Sequence, residues 1–295
     1  MTFFNRYPNF SVIIACFFWG TYWIPLRYIN SNNQGSIWPI FISFLFLSLI
    51  FFSTLLKSLK KAVKKSNYFF FIGCFFSSLG IALYSESLLR GEIAKVIILF
   101  YLCPIWGTFF SYILIGNKFT IKRFLSIFLG LLGLVIIIGF DKGFFIQENF
   151  ALWMAILAGM TWALGITLFH LAKTSTGIEK TTLTFFIIPF ILLLLCFIPN
   201  GRTFLITENL FNFNYLYIWI LLFSLIWIFP SILLTYFSVE ILDSGRLNLL
   251  LAFEVAVGIF SASLFTKEAI GLREYLGALL IVTAAILDTI KIKST

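Results

Sequence analysis

Charge is scarce in this chain. Asp, Glu, Lys and Arg make up 11% of its 295 residues, whereas soluble domains carry about a quarter. Hydrophobic residues reach 61% and the mean hydropathy is +1.03. A water-soluble fold cannot hide that much apolar surface, so the excess calls for lipid as a second solvent. Histidine occurs once, at His170, and no acids pair at a metal-ligand spacing. The sequence has no Walker-type phosphate loop, and no stretch is free to form a nucleotide-binding module. These absences argue against an enzyme, a metal site and an ATP-driven pump, and no cofactor is expected. Four cysteines (Cys16, Cys74, Cys103 and Cys196) lie inside apolar runs without CxxC spacing. They read as small hydrophobes rather than disulfides or ligands. Residues 1–8 lack the features of a cleaved signal peptide, so the first apolar run is expected to be a retained helix.

What is present is a succession of apolar runs of spanning length. They fall near 11–29, 37–56, 68–89, 93–115, 124–140, 150–172, 182–199, 215–242, 247–265 and 275–290. A helix needs about 20 residues to cross the hydrocarbon core. A β-barrel would alternate polar and apolar residues, and 131–140 and 185–197 do not. The fold expected is therefore an all-α integral membrane protein of ten transmembrane helices. The eighth run contains Pro230, which predicts a kink.

The formal net charge of +9 would suggest nucleic acid in a soluble protein. Here the basic residues collect in the loops between apolar runs, and no nucleic-acid role is expected. Loops on the N-terminal side hold the Lys57–Lys65 run, Lys118, Lys122 and Arg123, among others, and outweigh those opposite. The positive-inside rule then puts both termini in the cytoplasm.

The halves resemble each other. Residues 115–123 after the fourth run and 265–273 after the ninth share a basic turn leading into a Gly-bearing apolar helix. Trp19-Gly20 corresponds to Trp162-Ala163, and Pro104 to Glu254. Five spans per half make the second half inverted, a recurrent plan of secondary transporters with the solute site near the bilayer midplane. The repeats are placed at 8–140 and 150–290.

At this point a family resemblance becomes specific. Phe18-Trp19-Gly20, the stretch 101–111 around Pro104, the turns at 115–123 and 265–273, and Phe253-Glu254 resemble the drug/metabolite transporter superfamily in its EamA-type, ten-helix form. The resemblance covers nearly the whole chain. Asn117 stands where the family usually has Glu, and Val255 where it has Pro. The resemblance implies alternating access, small organic substrates with amino-acid or amine export most typical, and a bacterial cytoplasmic membrane location. A homodimer is left open.

Ionisable side chains at membrane depth are the best pointers to a site, because burying them is costly. Glu254, near the middle of the ninth run, could bind a substrate ammonium, take up a driving proton, or merely accept hydrogen bonds from a neighbouring helix. Arg27, Glu86 and Lys95 lie toward the outer end, as an outer gate or as snorkelling charges with one ion pair. His170 is a candidate proton relay or an interfacial hydrogen-bonder. Glu240 is expected to pair with a nearby loop cation. With 39 Phe, 11 Tyr and 8 Trp, most rings must face lipid or fill gaps. Those on the helices that line the central cavity in the resembled family are Trp19, Trp23, Tyr84, Tyr101, Trp106, Trp162 and Tyr236, and all of these but Trp106 are taken as cavity walls. With Glu254 those walls make the candidate substrate-binding set, suited to an organic cation through cation–π attraction. Rival readings are a choline-like quaternary-amine importer and a non-transporting membrane scaffold.

Overall fold

The computed structural model describes residues 8–31, 37–116, 121–138, 150–172, 174–197, 215–242, 244–266 and 271–289. Both termini and parts of the two basic turns, with Asn117, Lys118 and Lys267, lie outside the described residues, and so does any placement of the termini. Within them the chain is helical, without strands. The helices are α1 (Pro8–Thr21), α2 (Trp23–Ser31), α3 (Trp38–Ile50), α4 (Phe52–Lys64), α5 (Tyr68–Arg90), α6 (Ile93–Phe100) and α7 (Cys103–Ile115). There follow α8 (Ile121–Ile138), α9 (Phe150–Leu171), α10 (Gly177–Leu195), α11 (Tyr215–Leu222), α12 (Phe229–Ile241), α13 (Ser244–Phe265) and α14 (Leu272–Thr289).

Six helical stretches are long and apolar enough to cross a membrane: 9–31, 68–90, 93–115, 150–171, 177–195 and 215–241. A seventh is the pair α3 and α4, bent by 74° at Phe51. Three shorter apolar stretches occupy 124–133, 253–265 and 275–284. The sequence alone predicts a second run that stops at 56 with Lys57–Lys65 in a loop, and the structure differs. Instead Lys57, Lys60, Lys61 and Lys64 ride on α4, an amphipathic helix that buries Leu55, Ser58 and Ala62 on one side, and Lys65 follows its end. Such a helix suits the bilayer surface better than its interior.

Three spans are interrupted. The first breaks at Tyr22, between α1 and α2. The fourth breaks at Tyr101 and Leu102, just before Pro104, which has no N–H to return to the Phe100 carbonyl. In the eighth, a π-helical stretch from Phe223 to Ile228 joins α11 to α12 and absorbs the N–H missing at Pro230. Irregular backbone at this depth is tolerated where protein or a cavity covers it.

Small residues bring the helices together. A Cβ added at Gly80 of α5 would lie 2.8 Å from the Trp162 amide nitrogen of α9. One added at Gly133 of α8 would lie 2.8 Å from the Gly277 carbonyl of α14. Where lipid is as apolar as the side chains, such close backbone approach supplies the dispersion that holds helices together. The α1–α13 contact works the same way. Gly20 faces the Glu254 carbonyl at 2.9 Å from its would-be Cβ, and the Ser261 hydroxyl lies 3.1 Å from the Gly20 carbonyl.

Candidate functional site

The cavity at the centre of the helices is lined by Trp19 (α1), Ile81 and Tyr84 (α5), Phe100, Tyr101 and Cys103 at the fourth-span break, Trp162 (α9), Thr235 (α12), and Leu251 and Glu254 (α13). Its void of ≈ 20 Å³ holds about one water molecule. Its walls stand in contact around that void.

The walls are rings in contact. Trp19 meets Tyr84 at 6.3 Å and Trp162 at 6.1 Å, both edge-on. Tyr84 lies 4.3 Å from the Phe100 ring. Trp19 is fixed by its indole N–H, which donates to Thr235 Oγ1 at 3.1 Å, while the Thr235 hydroxyl donates to the Ser231 carbonyl at 2.7 Å. We expect Thr235→Val to leave a buried indole N–H without an acceptor. The cost is about 1–3 kcal/mol, read as a lower melting temperature with altered Trp fluorescence.

Glu254 is 5% exposed, and its Oε1 has no hydrogen-bond partner among the described residues. The hydroxyl of Tyr84 is likewise buried and without a partner among them. An acid in such a place is stable when it carries a proton or meets a cation. The lining contains this one acid and no basic residue among the described residues.

Five of the seven sequence-derived binding residues therefore converge: Trp19, Tyr84, Tyr101, Trp162 and Glu254. Trp23 and Tyr236 stand outside the lining. The Trp23 indole donates to Ser261 at 3.0 Å, and Tyr236 stacks behind Trp162 at 5.9 Å. Phe100, Cys103 and Thr235 escaped the sequence reading. Pro104 was the available signal for the first two, because a broken helix turns neighbouring residues toward one side.

The gate candidates separate. Arg27 donates from Nε to the Leu88 carbonyl at 2.8 Å and from its guanidinium to the Gly91 carbonyl. Glu86, 1% exposed, accepts from Arg90 at 3.2 Å, and Lys95 pairs with Glu92 at 2.8 Å. These groups sit where α5 ends and α6 begins. His170 closes the last turn of α9, at the opposite end of the bundle. Glu240 pairs with Lys180 at 3.6 Å, a cation in the first turns of α10 rather than in a loop.

The EamA-like transporter family matches the sequence twice, over residues 7–139 and 149–289. The chain belongs to the EamA-like transporter family. Membership makes it a membrane transporter of small solutes. Among solved structures, thirteen chains match it in fold. One shares 13% identity at a TM-score of 0.58 and covers 95% of this chain and 96% of its own, a likeness of fold alone. No curated protein matches the sequence.

Proposed function

We propose that this EamA-like protein is a secondary transporter that moves small organic amines by alternating access. Its ten spans form two inverted repeats, 8–140 and 150–290, with both termini in the cytoplasm and the protein in the cytoplasmic membrane. The observation that carries the reading is the unpartnered Oε1 of Glu254 on the wall of an aromatic cavity. A carboxylate there supplies the charge, Trp19 and Trp162 supply ring faces, and a protonated amine satisfies both. A free amino acid also needs a partner for its carboxylate. Arg27, already donating to the Leu88 and Gly91 carbonyls, does not line the cavity, so the lining favours an amine over an amino acid. Export is the direction taken from the family resemblance.

The test is a thermal-shift screen of purified protein against primary amines, polyamines, choline-like cations, amino acids and nucleosides. A ligand that binds only the folded state at 100 times its Kd stabilises by about 2.7 kcal/mol. Primary amines are expected to raise the melting temperature most. Stronger shifts with quaternary cations would move the reading to a choline-like carrier, and silence across all cations would overturn it.

A further inference from the structure

From the cavity wall a column of rings runs toward the end of the bundle where α9 ends and α10 begins. Trp162, on the cavity, stacks on Tyr236 at 5.9 Å, and Tyr236 meets Phe169 edge-on at 5.0 Å. Over the Phe169 ring sits Lys180 Nζ, at 5.1 Å from its centre. Lys180 is 2% exposed. It reaches across from α10 to Glu240 on α12 at 3.6 Å. Beside it, Lys61 of α4 pairs with Glu179 of α10 at 2.7 Å. The column is tied sideways by Thr184 Oγ1, 3.3 Å from the Tyr236 hydroxyl.

We infer that the Lys180–Glu240 pair is the latch of a gate, and that the Trp162–Tyr236–Phe169 column beneath it is the seal between the cavity and that face of the membrane. This rests on the alternating-access reading above. Burial in the pair is one-sided, with 3% of the Lys180 side chain exposed and 27% of the Glu240 side chain, so losing Glu240 strands a buried cation and losing Lys180 removes a tie between helices. The pair holds its two helices together while intact: without Glu240 the stranded Lys180 must part them to reach water, and without Lys180 the tie itself is gone. Here the two helices are α10 and α12, and parting them breaks the Thr184–Tyr236 contact that holds Tyr236 against Trp162. The cavity, whose void holds about one water, then opens toward that face.

Cys103 lines the cavity and is 8% exposed, which makes it a reporter. In full-length protein with Cys16, Cys74 and Cys196 replaced by Ala, a membrane-impermeant quaternary-ammonium methanethiosulfonate is added to the face that carries Lys180. Intact cells and inverted vesicles give the two faces. Labelling of Cys103 is expected to be slow in this parent and about tenfold faster in both Lys180→Gln and Glu240→Gln, a tenfold shift in the open population. The reversed pair, Lys180→Glu with Glu240→Lys, should return the rate to within about threefold of the parent. Unchanged labelling in both single variants, or a reversed pair no slower than the singles, overturns the latch. If removing one charge leaves no folded protein, Phe169→Ala takes away the ring under Lys180 without stranding a charge. Faster labelling there supports the seal, and unchanged labelling overturns it. No solute enters the readout, so a failed latch leaves the amine site standing, and a failed amine screen leaves the latch test intact.

Discussion

Glu254→Gln is expected to abolish the stabilisation by amines while leaving the free protein as stable as the parent or more so. Gln keeps the shape of Glu, so the packing of α13 against α1 through Gly20 is undisturbed. What changes is the charge. In the parent, a carboxyl oxygen with no partner among the described residues faces an aromatic cavity. Neutralising it removes a desolvation cost from the empty protein. With an ammonium bound, the same oxygen makes a buried, charge-assisted contact, and truncating one side of such a contact costs about 2–5 kcal/mol. That corresponds to a loss of affinity between about 30-fold and several thousand-fold. Melting temperatures with and without ligand, on parent and variant, separate the two effects. Parent-like affinity in Glu254→Gln would remove Glu254 from the site. A large drop in the stability of the empty variant would show that the carboxylate has a structural partner instead.

The composition alone made the solvent legible, because an 11% charged chain has no soluble alternative. The helices fall where the apolar runs do, and the deepest acid, Glu254, sits on the cavity as its position in the ninth run implied. The sequence could not show which ring on a helix faces inward. Trp19 and Trp23 share a face at i and i+4, yet Trp19 reaches the cavity while Trp23 turns to Ser261. The helix breaks at Tyr22 between them, and the nearby Gly20 and Pro25 are the residues in the sequence that could announce it. Tyr236 likewise misses the cavity by one position, and Thr235 takes the wall. The π-helical stretch before Pro230 adds a residue to the turn and rotates α12, which a helical wheel cannot anticipate. The bend at Phe51 has no proline or glycine to announce it. It follows from the change of composition there, from an apolar helix to one studded with lysine.

Gly159 should tolerate no side chain, and its replacement should reach the cavity although it does not line it. A Cβ added there would lie 2.5 Å from the Phe100 carbonyl oxygen, closer than real Cβ atoms come. That carbonyl ends α6 at the fourth-span break, and the Phe100 ring leans on Tyr84 at 4.3 Å. Backbone at a break cannot shift without carrying Phe100 and Tyr101 with it. Overpacking a tight contact costs about 1–3 kcal/mol, and more where the obstacle is backbone. Gly159→Ala is expected to fold with stability lowered by about 2–3 kcal/mol and with weakened amine binding, and Gly159→Val to yield little folded protein. Gly107, in the next helix of the same span, is the control, since its would-be Cβ meets nothing within 4 Å. Gly107→Ala should stay within about 1 kcal/mol of the parent, with any gain coming from the backbone freedom glycine loses on folding. Equal stability of Gly159→Ala and Gly107→Ala in detergent melts would mean that α9 does not press on the break.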